Sequence, residues 1–215
     1  MYMKGRSMNM FDMGIERDCD MEFNSEQYEM LLRCSEKRDV SEWNSYRREH
    51  RNDAIRLRYA ALSEAYLVGI NLSGADLEGV NLERSKLEGA NMMGASMAGA
   101  HFEGANLAGA RLDGAYLIGA NLNHARLEGA HLDGADLSRA ILDSSYLAGA
   151  SFEEANLYAA RLYGAYLAGA NLEGAHLVGA HLEGAFLIGA CISDSSLQYA
   201  RVQDTLAVCI SDAIL

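Results

Sequence analysis

The chain has 215 residues, of which 50% are hydrophobic, and it carries a net charge of −12 at pH 7. This composition is typical of a folded protein and excludes a disordered or fibrous chain, while the acidic balance disfavours direct binding to nucleic acid. No apolar run approaches the ~20 residues that a membrane span requires. We therefore predict one elongated domain with no membrane-crossing segment.

The N-terminal segment, residues 1–24, is polar and rich in methionine, and it lacks the apolar stretch of a secretory signal peptide. We expect this segment to be flexible. The four cysteines follow neither a disulfide spacing nor a metal-binding spacing, so we expect reduced thiols and a cytoplasmic protein. The cysteines are Cys19, Cys34, Cys191 and Cys209.

Residues 25–54 have the pattern of two short helices and are predicted to form an N-terminal cap. Ser25 is placed to act as the N-cap of the first helix. The apolar side of that helix carries Tyr28, Leu31 and Leu32. The second helix is predicted from Ser41 to His50, and we expect Trp43, the only tryptophan, to pack onto the structure that follows.

A five-residue unit, A-x-L-x-G, then repeats from Ile55 to Asp204 without insertion or deletion. Thirty units fill these 150 residues: the central position is apolar in all thirty, the position two residues earlier is alanine in twenty-four, and the last is glycine in nineteen. A short period kept this strictly indicates stacked structural units.

Five residues match neither the period of a helix nor that of a strand, so the chain must turn once in every unit. Four turns close a coil of twenty residues, with the leucines and alanines inside and the other residues in solvent. Glycine at the turn accommodates the positive φ of a type II turn. We predict that all thirty central residues and the alanines two positions before them are buried, and that Ala105, Ala130 and Ala175 accept nothing larger than serine.

The run from Ala165 to Leu177, AYLAGANLEGAHL, resembles the pentapeptide repeat proteins, and the resemblance covers about 70% of the chain. The fold of that family is a right-handed quadrilateral β-helix. The resemblance therefore implies an all-β rod of about 7.5 coils over residues 55–204, roughly 36 Å long at ~4.8 Å per coil. Helical N-terminal caps with a similar Glu-Trp-Asn segment also occur in the family.

Residues 205–215 interrupt the repeat and form an apolar C-terminal tail with no predicted helix. Because an uncovered β-edge is a template for pairing, the tail is expected either to fold over the last coil or to pair with another molecule. We predict a homodimer through this end, as is common in the family. The candidate contact residues in the tail are Leu206, Ile210, Ile214 and Leu215.

Two opposite faces of the predicted rod are acidic, because residues twenty apart stack on the same face. The first acidic face carries Asp113, Asp133, Glu153, Glu154 and Glu173. The second acidic face carries Glu83, Glu103, Asp143 and Glu183. Stacked like charges repel, which costs some stability. The faces are candidates for contact with a basic partner, and the alternative is that the charge only maintains solubility.

An aromatic strip lies between the acidic faces in the C-terminal half of the rod, formed by Tyr146, Tyr166, Phe186 and Ile188 with Ala148 and Ala168 beside them. Contiguous exposed apolar surface often marks a contact with another protein. The alternative is a stacking ladder that stabilises its own face. The fourth face, called the mixed face below, is mixed in composition and carries Tyr116, Ile118, Tyr158 and Val178.

An interior filled with leucine and alanine offers no cavity for convergent catalytic groups. The histidines do not stack on one another, and no cysteine or second histidine converges on any of them. We therefore predict no enzyme activity, no cofactor and no metal site. The histidines are His50, His101, His124, His131, His176 and His181.

Two functions follow as expectations. The first is a non-catalytic rigid acidic rod that binds another protein or acts as a structural module. The second rests on the resemblance, since some pentapeptide repeat proteins mimic duplex DNA and bind type II topoisomerases such as gyrase, inhibiting the enzyme or protecting it from toxins. A partner protein is expected in both cases, and fold alone does not choose between them.

Overall fold

In a computed structural model, the structure describes residues 23–192, 197, 199–204 and the backbone of 209–210. Two helices, α1 (Ser25–Lys37) and α2 (Ser41–Glu49), come first. A long run of coils follows, and two short strands, β1 (Cys191–Ile192) and β2 (Cys209–Ile210), lie near the C-terminus. The predicted segment 1–24 lies outside the described residues except for Phe23 and Asn24.

The coils are stacked in parallel with a constant register of twenty residues. The bridges run from Arg56 with Asp76 to His181 with Arg201, and every bridge between them joins residues twenty apart. From Leu57 to Leu172, the main-chain N–H of each central residue donates to a carbonyl of the next coil, as Leu107 does to Arg126 at 2.6 Å. This arrangement is a parallel β-helix with four five-residue units per coil, as the period predicts.

In twenty-eight of the thirty units the chain turns at the fourth and fifth residues, and the fifth residue has positive φ. Nineteen glycines and nine other residues of the repeat adopt this conformation. The non-glycine examples include Glu154 at 55° and Ala159 at 53°. Glycine is preferred at this place because it has no Cβ to strain there, and the tight coil imposes the same φ on the residues that replace it.

Where Asn or Asp precedes the central residue, its side chain closes the turn of its own unit. Its side-chain oxygen accepts a hydrogen bond from the N–H two residues later, over 2.9–3.5 Å in nine units. Asn156, for example, accepts from the N–H of Tyr158 at 3.1 Å. That N–H has no partner in the ladder between coils, so this local bond satisfies it. The motif A-[ND]-L therefore has a structural cause.

The interior is filled mainly by leucine and alanine side chains along its length. Central residues from Leu57 to Ile192 are buried, and so are the alanines beside them. Ser85 and Ser145 take the alanine position, and each buried hydroxyl donates to the carbonyl three residues earlier at 2.7 Å. Serine fits there because its hydroxyl finds a main-chain acceptor without needing more space.

The prediction that all thirty central residues are buried is wrong at the C-terminal end. Leu197 and the alanine-position residue Ala200 are half-buried, and Val202 is 40% exposed. All three lie in the last described coil, which has less of the chain stacked beyond it than the earlier coils have. Burial at a central position therefore requires cover on both sides, from a further coil or from the helical cap, and the repeat pattern alone does not show where the stack ends.

Helix α1 differs in two details from the sequence prediction. Its N-cap is Asn24 rather than Ser25, and the Asn24 side chain accepts from the N–H of Gln27 at 2.9 Å. Leu31 is buried, whereas Leu32 is 36% exposed. The polar Gln27 is buried instead of Leu32, because it provides hydrogen bonds that the first coil requires.

The first coil would expose unpaired main-chain groups at its N-terminal edge, and α1 satisfies part of that edge. Gln27 accepts from the N–H of Arg56 at 3.1 Å. Ser35 accepts through its hydroxyl from the N–H of Tyr66 at 2.9 Å. Because exposed strand edges promote pairing between molecules, these bonds protect the rod from end-to-end association.

Helix α2 covers the remaining side of the same edge. The fully buried Trp43 donates from its indole Nε1 to the carbonyl of Asn71 at 2.7 Å. Asn44 accepts from the N–H of Asn71 at 2.9 Å and donates to the carbonyl of Gly69 at 3.0 Å. The two helices therefore replace the coil that is missing before Ile55.

At the C-terminal end, β1 pairs in parallel with β2, Cys191 opposite Cys209 and Ile192 opposite Ile210. The register shortens here from twenty residues to eighteen. Part of the tail thus continues the coil stack on its own chain. Three candidate tail residues, Leu206, Ile214 and Leu215, lie outside the described residues, as does the side chain of Ile210.

Candidate protein-binding faces

The aromatic strip is a stacked ladder whose side chains are partly exposed. The rings of Tyr146 and Tyr166 are 5.1 Å apart with an interplanar angle of 5°, and those of Tyr166 and Phe186 are 4.8 Å apart at 1°. Tyr146 is 44% exposed, Tyr166 41% and Ile188 60%. Ring stacking at the spacing of the coils stabilises this face, and the ring edges remain accessible to a partner.

Beside the ladder, the surface is flat because the neighbouring residues are small. Ala148 and Ala168 precede turn glycines Gly149 and Gly169, and no atom lies within 4 Å of where a Cβ would stand on either glycine. The three coils of the strip contain no charged residue on this face. The result is a contiguous apolar surface of tyrosine, phenylalanine, isoleucine, alanine and glycine.

The mixed face also exposes large apolar side chains. Tyr116, Ile118, Tyr158 and Val178 are between 42% and 55% exposed. Asp136, Ser138 and Arg139 separate the first pair from the second along the rod. This interruption makes the aromatic strip the more continuous apolar surface of the two.

The first acidic face has a structural role in addition to its charge. Asp133 accepts hydrogen bonds from the N–H of Glu153 at 3.0 Å and from the hydroxyl of Ser151 at 2.5 Å, both through Oδ1. Ser151 stands where other units have Asn or Asp, so Asp133 closes the turn of the following coil in its place. The expectation that stacked carboxylates only cost stability is therefore incomplete.

Other residues of the first acidic face have fewer neutralising partners. Asp113 forms an ion pair with Arg111, Nε to Oδ2, at 3.5 Å. Glu153 accepts from the side-chain amide of Asn171 at 3.4 Å. Glu154 and Glu173 are exposed. Arg111 is the only arginine or lysine among the described residues of this face, so the negative charge of the face is largely uncompensated.

The second acidic face is more thoroughly paired. Asp143 accepts from the N–H of Tyr163 at 3.1 Å and forms an ion pair with Arg161. Glu183 lies 3.3 Å from Nδ1 of His181, whose ring nitrogen also contacts the Tyr163 hydroxyl. The other two residues predicted on this face, Glu83 and Glu103, are half-buried and exposed respectively.

Shifted pKa values are found in the helical cap. Burial raises the pKa of the Cys34 thiol above its ordinary value. The N–H of Ser41 lowers the pKa of Asp39 by hydrogen bonding to its carboxylate at 2.9 Å. The hydrogen bond from Arg33 lowers the pKa of Glu42. These groups fasten α1 to α2 and have no contact with the aromatic strip.

A third arrangement on the first acidic face combines an imidazole with two carboxylates. One potential ligand atom from each of Asp113, His131 and Asp133 lies within 4.8 Å of the others. This cluster is not apparent from the sequence when the histidines are compared only with one another and with the cysteines. The signal that reveals it is His-x-Asp in one unit together with an Asp exactly one coil earlier.

No helix in the described part of the chain is long and apolar enough to cross a membrane.

The family model described as pentapeptide repeats matches residues 55–94, 95–134, 120–157 and 160–198, in eight copies. The matches cover more than half of the chain, so the chain belongs to the pentapeptide repeat family, whose fold is a right-handed β-helix. Proteins of this family are generally structural or interaction modules rather than enzymes.

Solved structures of pentapeptide repeat proteins are similar to this chain. Rfr23 from the cyanobacterium Cyanothece 51142 is 35% identical over 48% of this chain, which spans 64% of that protein, with a TM-score of 0.39. Full-length QnrB1, a plasmid-mediated fluoroquinolone resistance protein, is 18% identical over 67% of this chain and 84% of its own, with a TM-score of 0.43.

HetL, a pentapeptide repeat protein involved in heterocyst differentiation regulation in Nostoc sp. strain PCC 7120, is 24% identical over 74% of this chain and 90% of its own, with a TM-score of 0.25. No match was found among curated proteins. With TM-scores below 0.5, these structures assign no function to this chain.

Proposed function

We propose that the protein is a non-catalytic rod that binds another protein through the aromatic strip. The observation that carries the proposal is the uninterrupted exposure of Tyr146, Tyr166 and Ile188 on three successive coils. Tyrosine is enriched at the centres of protein interfaces, because its ring buries a large area while its hydroxyl keeps a hydrogen bond. Contiguous apolar surface of this kind supports a binding role.

The charge around the strip specifies the chemistry of the partner. Asp143 and Glu183 lie on one side, and Glu153, Glu154 and Glu173 lie on the other. A complementary partner has an apolar centre with basic residues at its rim, since opposite charges at a rim increase the association rate. A second copy packed face to face would bring acidic faces together, so the strip fits a different protein better than it fits itself.

The test is co-purification from the source cells with matched variants. Y166E and I188E together place two charges in the aromatic strip, and Y158E and V178E place two in the mixed face. All four side chains are at least 41% exposed, so both variants are expected to fold. We expect a partner that is retained by the mixed-face variant and lost by the strip variant. Equal retention of every partner by both would contradict the proposal.

A second candidate function is mimicry of duplex DNA toward a topoisomerase such as gyrase. The poor neutralisation of the first acidic face favours it. Against it, the −8 charge of residues 55–204 over roughly 36 Å is one net charge per ~4.5 Å, compared with ~1.7 Å in duplex DNA. The rod therefore reproduces DNA only weakly as an electrostatic object.

A supercoiling assay distinguishes the two functions. Changing Asp113 and Asp133 to Asn and Glu153 and Glu173 to Gln removes four charges while keeping the shapes of the side chains. Under mimicry, inhibition or protection of gyrase weakens and its salt dependence flattens. An effect on gyrase that survives the quadruple change would exclude electrostatic mimicry, and loss of the effect only in the strip variant would favour the first function.

A further inference from the structure

We infer that Asp113, His131 and Asp133 form a binding site for a divalent transition-metal ion such as Zn²⁺. The three side chains come from two successive coils of the first acidic face, and their potential ligand atoms lie within 4.8 Å of one another. One imidazole and two carboxylates are a ligand set that suits Zn²⁺, with water in the fourth position.

The backbone fixes the positions from which the three ligands project. Asp113 and Asp133 occupy the same place in their units, twenty residues apart, and the N–H of Gly114 donates to the carbonyl of Asp133 at 2.9 Å. His131 lies two residues before Asp133, on the same face. Tetrahedral bonds of about 2.0–2.2 Å place ligand atoms ~3.4 Å apart. His131 is exposed, so its ring is free to rotate about the side-chain bonds and close this gap.

An independent observation concerns the Oδ2 atom of Asp113. This atom is shielded from solvent and accepts no hydrogen bond, although the side chain as a whole is 24% exposed. A buried carboxylate oxygen without a hydrogen bond is unfavourable, and one long ion pair compensates it only in part. Arg111 Nε, at 3.5 Å, is the nearest cation and supplies only an ion pair.

Asp133 is prepared for coordination by its other contacts. Both of its hydrogen bonds, from Ser151 and from the N–H of Glu153, reach Oδ1. They hold the carboxylate in one orientation and leave Oδ2 for a ligand. Hydrogen bonds that orient a ligand in this way typically raise metal affinity. The neighbouring acidic residues of the face add an attractive potential for a cation.

The experiment is calorimetric titration of the full-length, untagged protein with Zn²⁺, repeated with H131A and with H176A. His176 is an exposed histidine at the same position of its unit on the mixed face, so it is the matched control. Loss of a direct ligand should weaken the site by at least the ~10–100-fold that follows loss of a residue orienting a ligand. H176A should bind as the unchanged protein does.

Two further measurements make the result specific. Co²⁺ bound at this site should give visible absorption without the thiolate charge-transfer band that cysteine ligands produce. R111Q should bind Zn²⁺ more tightly, because it removes the cation that competes for Asp113. Unchanged binding in H131A, equal loss in H176A, binding only through thiolate, or weaker binding in R111Q would each overturn the inference. A failure here leaves the aromatic-strip proposal unaffected.

Discussion

Replacing Ala130 with leucine tests how tightly the interior of the rod is filled. Ala130 is 1% exposed. Its N–H donates to the carbonyl of Leu127 at 3.0 Å, and its own carbonyl accepts from the N–H of Ser151 at 2.9 Å. The backbone is therefore held both within its coil and by the next one. It cannot move outward without breaking these bonds, and three added carbon atoms must be accommodated by the surrounding side chains.

Overpacking of this kind costs ~1–3 kcal/mol of the free energy of unfolding. For a protein of this size, each kcal/mol lowers Tm by about 2–4 °C, so A130L should lower Tm by roughly 2–12 °C. The matched control is A148L, the same change at an exposed position on the aromatic face, which should alter stability by less than ~0.5 kcal/mol. Thermal denaturation followed by circular dichroism measures both.

An unchanged Tm for A130L would refute the filled interior. Equal decreases for A130L and A148L would refute the assignment of inward and outward positions. Serine at position 130 should be tolerated, since Ser85 and Ser145 already occupy equivalent buried positions and donate to main-chain carbonyls.

Three other predictions concern the two ends of the rod. N44A should destabilise the protein by ~1–3 kcal/mol and promote aggregation, because the N–H of Asn71 and the carbonyl of Gly69 lose their partner. An unchanged Tm together with unchanged light scattering would contradict this prediction. The pKa of Asp39 is lowered in the folded protein, so the ionised side chain stabilises the fold above the ordinary carboxyl pKa, and this contribution is lost as pH falls. The difference in Tm between the unchanged protein and D39A should therefore be largest at neutral pH and vanish in acid. Deleting residues 206–215 should convert a dimer to monomer or aggregate, and light scattering that finds the intact chain monomeric at high concentration would exclude the dimer.

The fold follows from the sequence because the five-residue period leaves the chain few alternatives. Register, turn position and the inward residues are all consequences of that period. The ends follow less directly, because capping depends on individual side chains. In α1 the polar Gln27 is buried and the apolar Leu32 is exposed, which is the reverse of the burial expected from hydrophobicity. That inversion depends on the N–H of Arg56, whose need for an acceptor appears only when the first coil is in place.

The sequence predicts which residues share each candidate face, but it does not predict their ring geometry, their exposure or their hydrogen bonds. Counting in twenties places Tyr146, Tyr166 and Phe186 together, and the structure adds that their rings are parallel and partly exposed. The same counting places Asp133 in an acidic column without revealing that it closes a turn of the next coil. A side chain's hydrogen bonds depend on what its neighbours lack, and a repeat pattern does not contain that information.

The central claim, that the aromatic strip binds a partner protein, is tested most directly by photocrosslinking in the source cells. A photoreactive phenylalanine replaces Tyr166 in one variant and Tyr158, on the mixed face, in another; the two tyrosines are 41% and 48% exposed. We expect one discrete adduct from position 166, of a mass different from that of a dimer of the chain, and no adduct of that mass from position 158. An adduct of the same protein from position 158, or none from 166, would contradict it.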